Sequence, residues 1–375
     1  VYLAAGIKES LQELPVVAVT RINDPLLAEK ILADGHADLI TMNRATICDP
    51  EMTIKAREGR LDDIRTCIAC NQGCLDRVLK ALPIRCLQNA AAGRERELEM
   101  GTLRLAPQKK RVLVGGGGPA GMEAARVAAE RGHRVSLYEK EAELGGQARI
   151  AARVPRREEL GGITRFLSAQ LRRLGVELHL GVEATVELIL QETADAVIVA
   201  TGSVPTWPAL PGLDREQVFL VEDVLLGRAK VGERVVVVDD GEGHWKGCGV
   251  AEMLADQGRQ VEILTPLLHV GQPLEETSLE HFYHRVRALG VVFTPMRVLK
   301  GMAGETVRTM DVYSREEIEI EGVDTVVLSR GREASNALYR SLKGKVRELH
   351  WAGDCVAPRK AMDAIREGHL VGRAV

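Results

Sequence analysis

The sequence predicts an α/β protein with two parallel-sheet units in its C-terminal two-thirds, one inserted into the other. Three observations predict it. A strand–turn–helix–strand phrase runs from "RVLVG" (111–115) through "GMEAARVAAERG" (121–132) to "RVSLYEK" (134–140). The phrase recurs as "RVVVVD" (234–239), "GCGVAEMLADQG" (247–258) and "RQVEILT" (259–265), with eleven residues from Gly121 to Gly132 and eleven from Gly247 to Gly258. Finally, "LHWAGDCVAPR" (349–359) supplies a strand and turn that complete the first sheet after the second unit has ended. Short apolar runs alternating with helices are the pattern of parallel sheets covered on both faces.

Ahead of these units, "PVVAVTRI" (15–22) and "ADLITMNR" (37–44) read as buried parallel strands. Between them "DPLLAEKILADG" (24–35) reads as a helix, with Asp24 at the cap, Pro25 at the first position and Gly35 at the end. This βαβ unit belongs equally to a barrel or an open sheet. Residues 106–110, "APQKK", are a polar linker. At 375 residues the chain exceeds one ordinary domain. It opens with Val1 and reads from the start as the middle of a fold, so a fragment is expected.

Composition excludes several function classes. Fifty basic against 53 acidic residues leave a formal charge of −3, with no cationic excess to hold nucleic acid or anionic lipid. No apolar run approaches the roughly 18–20 residues that span a bilayer. An odd count of seven cysteines, four of them within twenty residues, is unlike a secreted disulfide framework and fits a reducing cytoplasm.

Those four cysteines are the most specific chemical signal. Cys67-x2-Cys70-x3-Cys74 is followed after eleven residues by Cys86. Four thiolates in one short excursion suit an iron–sulfur cluster. Structural zinc also accepts four cysteines, usually as two distant C-x2-C knuckles, and unliganded core cysteines are the third alternative. Three close ligands plus one distant favour the 4Fe–4S cluster. Cys48, Cys248 and Cys355 have no partners in sequence and read as small buried apolar residues.

In the first unit G-x-G-x-x-G falls at Gly116, Gly118 and Gly121, after a strand and before a helix. Gly116 permits the tight turn, Gly118 lets backbone approach a pyrophosphate, and Gly121 lets helix and strand pack closely. Glu139 ends the next strand, where a carboxylate accepts ribose hydroxyls. "LGGQA" with Gly146 and Gln147, "VIVATGS" (197–203) and "WAGDC" with Gly353 and Asp354 follow in the order used by flavoproteins that bind two dinucleotides. Asp354 would accept a ribityl hydroxyl of FAD. The second unit departs from the pattern: "VVVVDDGEGHWKG" keeps the helix-entry glycine, Gly247, but sets Asp239, Asp240 and Glu242 where a pyrophosphate would lie. Each carboxylate beside that dianion is repelled by about 1 kcal/mol even in a water-like dielectric. The next strand ends in Thr265, neither an acid for ribose nor an arginine for a 2′-phosphate. NAD(P)H binding there is doubtful.

"DIRTCIACNQGC" with Cys86, followed by "RVLVGGGGPAG", resembles the iron–sulfur flavoproteins of the trimethylamine dehydrogenase, histamine dehydrogenase and 2,4-dienoyl-CoA reductase group. The resemblance implies the C-terminal part of an FMN-binding, old-yellow-enzyme-type (β/α)8 barrel over residues 1–60. It then implies an iron–sulfur segment and linker over 61–108, an FAD- or ADP-binding domain over 109–227 plus 325–375, and a degenerate NAD(P)-type domain over 228–324, the last two being nested Rossmann-like domains. Arg44 would contact the FMN phosphate and Arg21 would lie near FMN and cluster, at C-terminal strand ends where such barrels bind phosphate. The substrate pocket, acid and base fall upstream of Val1. The leading expectation is a dehydrogenase of a small amine-like substrate, passing electrons from FMN through Cys67, Cys70, Cys74 and Cys86 to an electron-transferring flavoprotein, in an assembly that allows a homo-oligomer. The alternative is an NAD(P)H-dependent reductase of an enoyl thioester or enone. A non-catalytic electron-transfer module is the third reading, against which the barrel-like residues argue. "RVPRREELGG" (153–162) reads as a solvated charge run, and 358–375 as a helix whose N-terminus aims at the flavin.

Overall fold

A computed structural model describes residues 1–11, 13–98, 102–213 and 216–375. The chain forms two compact units: residues 1–148, 159–202 and 336–375 make the first, and residues 149–158 and 203–335 the second. The expected insertion of one unit into the other is therefore present. No helix among the described residues is long and apolar enough to cross a membrane.

The first unit is organised by a five-stranded, wholly parallel sheet. Its order is Leu349–Trp351, Ala196–Val199, Arg111–Gly115, Arg134–Glu139 and Glu177–Leu180. In chain order this is 5-4-1-2-3, with the reversal of winding between Arg111–Gly115 and Ala196–Val199, where doubly wound sheets open a ligand crevice. Val114, Leu137 and Ile198 are fully buried in the core beneath the Pro119–Glu130 helix. The Ala361–Ala374 helix lies on that helix at unusually short range. A Cβ on Gly368 would meet the Ala120 carbonyl oxygen at 2.2 Å, and one on Gly372 the Ala124 oxygen at 2.7 Å. The contact is locked by a buried charge network. Glu123 accepts from Arg126 at 2.7 and 2.8 Å and lies 2.9 Å from His369 Nδ1.

The second unit repeats the arrangement in the order Val292–Thr294, Gln260–Leu264, Arg234–Asp239, Thr325–Ser329 and Val218–Leu220, again all parallel. The antiparallel strands Arg297–Ala303, Thr306–Asp311 and Glu317–Ile320 form a separate sheet. The boundaries expected at 227/228 and 324/325 move to 202/203 and 335/336. Thr325–Ser329 is buried at every position and pairs with both Arg234–Asp239 and Val218–Leu220, so these two strands, Thr325–Ser329 and Val218–Leu220, belong to the inserted sheet. Arg153, Arg156, Glu158 and Glu159 are exposed ahead of the Gly161–Arg173 helix, as expected of a charge run, but the run is also anchored at three points. Val154 is 2% exposed, Arg156 pairs with Glu252 at 2.8 Å, and the Arg157 guanidinium stacks 4.3 Å over Trp245. The arginine stems cover apolar surface while their charges find partners at the solvated face.

The two strands expected near the N-terminus shrink to a parallel pair, Val17–Ala18 with Leu39–Ile40. The helix between them, Pro25–Ala33, is capped as anticipated, Asp24 accepting from Leu26 N at 2.8 Å. Val17, Val19 and Leu39 are about half exposed rather than buried. A parallel strand needs neighbours on both edges and cover on both faces, and among the described residues these two strands pair only with each other.

Candidate functional site

The four predicted cysteines come together. Cys67, Cys70, Cys74 and Cys86 line one cavity, along with Arg44 and Cys48. No regular strand or long helix builds this wall. Ala69 and Asn71 adopt positive φ (48° and 59°), which turns the chain around the cavity. Gly73 packs on Arg85 so closely that a Cβ would stand 2.7 Å from its carbonyl oxygen. The segment is tied to the N-terminal residues by Asn23 Nδ2 donating to Cys67 O at 2.7 Å, Arg44 Nη1 to Asn71 Oδ1 at 2.7 Å and Asn89 Nδ2 to Ile47 O at 3.1 Å.

Burial pushes the Cys70 thiol up to about 12 and raises Cys67 and Cys74 as well. The neighbouring Cys48 and Cys86 thiols titrate as a pair, each shifted chiefly by the other: Cys86 is lowered and Cys48 raised well above the ordinary thiol value. The chemistry of the donor set fits an iron–sulfur cluster. Each iron takes one thiolate, so the sulfurs ring a cavity, whereas a zinc ion requires four ligands within about 2.3 Å of one point. Loading such a cluster must displace protons from thiols that burial keeps protonated. Sequence spacing gave no signal for Cys48, which reaches the cavity only through the fold, held by Gln88 Nε2 at 3.3 Å.

The first glycine loop is open for a pyrophosphate. Gly116 sits at φ +117°, and a Cβ there would lie 2.2 Å from the Ala200 oxygen. Gly118 has nothing within 4 Å of where its Cβ would be, leaving the entry to the Pro119–Glu130 helix clear. Free N–H groups and the positive end of the helix dipole favour an anion at that point. Glu139, 8% exposed, accepts from Gly117 N at 2.6 Å and from Glu141 N at 2.8 Å, so its carboxylate is pinned at the loop. Gly146 (φ +46°) brings its turn close to Gly118, and Gln147 beside it is exposed. Gly353 (φ +78°) donates to Glu367 at 2.9 Å, while Asp354 accepts from Arg359 N at 3.2 Å. Gly121 permits the closest approach, since a Cβ would fall 1.9 Å from the Gly116 oxygen. Gly121→Val is therefore expected to displace the helix at a cost of about 1–3 kcal/mol and to cut retained adenine nucleotide by more than tenfold. Nucleotide released per chain on denaturation measures this, and full retention would contradict it.

The two arginines fare differently from each other. Arg44 stands on the short Asn43–Cys48 helix at the cysteine cavity, and Arg21 forms an exposed ion pair with Glu159.

In the second unit the acids of the loop are consumed internally. Asp239 accepts from Gly243 N at 2.9 Å and from Thr265 Oγ1 at 2.7 Å. Asp240 pairs with Arg330 at 2.8 Å and Glu242 with Lys246 at 3.0 Å. Burial, opposed by those hydrogen bonds, raises the Asp239 carboxyl. Both units tie a loop N–H to a strand-end carboxylate, the first unit from the end of its second strand (Glu139 on Gly117 N) and the second from the end of its first (Asp239 on Gly243 N).

A family model for pyridine nucleotide-disulphide oxidoreductases matches residues 110–352. The chain belongs to that family. Residues 5–63 match the NADH:flavin oxidoreductase / NADH oxidase family, which makes the N-terminal segment the end of the expected (β/α)8 barrel. The chain is 38% identical to an NADH oxidase of Thermoanaerobacter brockii, covering 99% of this chain and 57% of that one. It is 37% identical to an N,N-dimethylglycine/sarcosine dehydrogenase of Chromohalobacter salexigens, covering 92% and 51%. The solved structure of a 2-naphthoyl-CoA reductase complex superposes with a TM-score of 0.93 at 32% identity, covering 100% and 56%. The chain thus spans a little over half the length of these relatives. Members of these families are oxidoreductases with flavin-binding folds, and the likeness to the iron–sulfur flavoproteins holds.

Proposed function

We propose that the protein oxidises a small amine-like substrate at FMN and delivers the electrons, one at a time, to an electron-transferring flavoprotein. The observation that carries this reading is the Asp239 turn. Its carboxylate fills the loop by accepting from Gly243 N and Thr265 Oγ1, and Asp240 and Glu242 tie the same turn to Arg330 and Lys246, so the turn is closed on itself where the first unit's loop stays clear at Gly118. The name of the Chromohalobacter relative supports an N-methylated amine as the substrate class. When bound, FMN would take the substrate's electron pair, and an iron–sulfur cluster would pass electrons on singly.

The residues of this chain have the supporting roles. Cys67, Cys70, Cys74 and Cys86 would hold the 4Fe–4S cluster, Arg44 would orient the FMN phosphate, and Arg21 would lie near both. The domain from Gly116 to Glu139, completed by Gly146, Gln147, Gly353 and Asp354, would bind FAD or ADP.

Anaerobic addition of NADH or NADPH to the cofactor-loaded protein is expected to leave the flavin absorbance unchanged, while sarcosine or dimethylglycine bleaches it. The NADH oxidase and naphthoyl-CoA reductase relatives support the reverse current, from NAD(P)H to an activated C=C bond. Rapid bleaching by a nicotinamide would establish that reading and end the first.

A further inference from the structure

Two cavities meet at Cys86. One is the cysteine cavity already described. The other lies between the residues around Cys86 and the first turns of the Ala361–Ala374 helix. Arg85, Arg94 and Arg366 line it, with Asp363 as its one carboxylate. None of the three guanidinium groups has an ion pair or hydrogen bond among the described residues, and Arg366 Nε is buried without a partner. The crowding is real. Burial and then the charges of Arg366, Arg85 and Arg77 push Arg94 down, with Glu97 pulling the other way. Arginine does not give up its proton under such pressure, so the cavity keeps a surplus of positive charge.

Three uncompensated cations are costly to collect unless a negative charge stands nearby. On the reading of the cysteines given above, that charge is a cluster ligated by four thiolates, which is anionic and gains one more negative charge on reduction. Cluster potentials respond to net charge and to hydrogen bonds on the ligating sulfurs. Across the other cavity, Arg44 has already given a donor to Asn71.

We infer that Arg85, Arg94 and Arg366 set the reduction potential of the cluster from its Cys86 side, stabilising the one-electron-reduced form. They act through space, touching neither substrate nor flavin. The experiment is an anaerobic, EPR-monitored redox titration of the full-length, cofactor-loaded protein. Arg94→Gln and Arg366→Gln should each move the cluster midpoint to a more negative potential, the double variant further than either, with iron content unchanged. Arg94→Lys should stay close to the parent, because it keeps the charge. Added salt should narrow the differences, since these groups are only partly buried. Should the double variant lose iron, Arg85→Gln carries the same expectation. An unmoved midpoint with full iron, or an Arg94→Lys shift as large as that of Arg94→Gln, overturns the inference and leaves the cluster standing. Absence of iron from the parent protein is a different failure, in which the reading of the cysteines falls first.

Discussion

Glu123→Ala is expected to destabilise the first unit by somewhat less than the ~3–5 kcal/mol of a fully orphaned buried charge, because it strips the buried Arg126 guanidinium of Glu123 and leaves it only Glu130, 2.8 Å away. Glu123 is 1% exposed and Arg126 7%, and the glutamate bridges to His369 on the last helix. Burial by itself would raise the Glu123 carboxyl, but the charge and hydrogen bonds of Arg126, with those of His369, hold it well below the ordinary value of 4.5. A depressed folded-state pKa adds stability that is fully present above the unfolded value and drains away as pH falls beneath it. Acid unfolding of the parent protein should therefore steepen below about pH 4.5, and the variant should lose that dependence. Urea denaturation followed at several pH values checks both points. A variant within 1 kcal/mol of the parent, with the same acid limb, would show that the network is not what secures the Ala361–Ala374 helix.

Cys70→Ser should remove nearly all iron and labile sulfide from the purified protein, and Cys74→Ser should do the same. Cys70 is 8% exposed and shares one cavity with four further thiols, Cys48, Cys67, Cys74 and Cys86. A hydroxyl there is a harder, less acidic ligand than the thiolate that iron–sulfur clusters require. Cys248→Ala is the control, for Cys248 is 3% exposed inside the second unit and faces none of these sulfurs. Elemental analysis of anaerobically purified protein reads the outcome directly. Zinc in place of iron, or iron retained by both serine variants, would dismantle the proposed electron path.

Much of the architecture was legible because it rests on local rules. The strands Arg111–Gly115 and Arg234–Asp239 fall where their apolar runs put them, bounded by turn glycines. The Asp24 cap and Pro25 start were readable because capping involves neighbours two or three residues apart. The misreadings came from pairing over long separations. Thr325–Ser329 reads equally well as a strand of either sheet, and only its register with Val235 through Asp239 assigns it to the second. The N-terminal apolar runs carried no sign that they pair so briefly.

The sequence alone determined the ligand types: four cysteines in a fixed spacing, one intact glycine loop with its acid, and one loop crowded with carboxylates. Composition and spacing are enough there, because each feature spans a single turn or excursion. Tertiary structure decided which groups share a space. It set Cys48 against Cys86, turned Asp239 inward onto Gly243 and Thr265, and brought Arg366 beside Arg85 and Arg94 across more than 250 residues of chain. Coulomb and hydrogen-bond energies depend on separation in space, and a linear sequence records only separation along the chain.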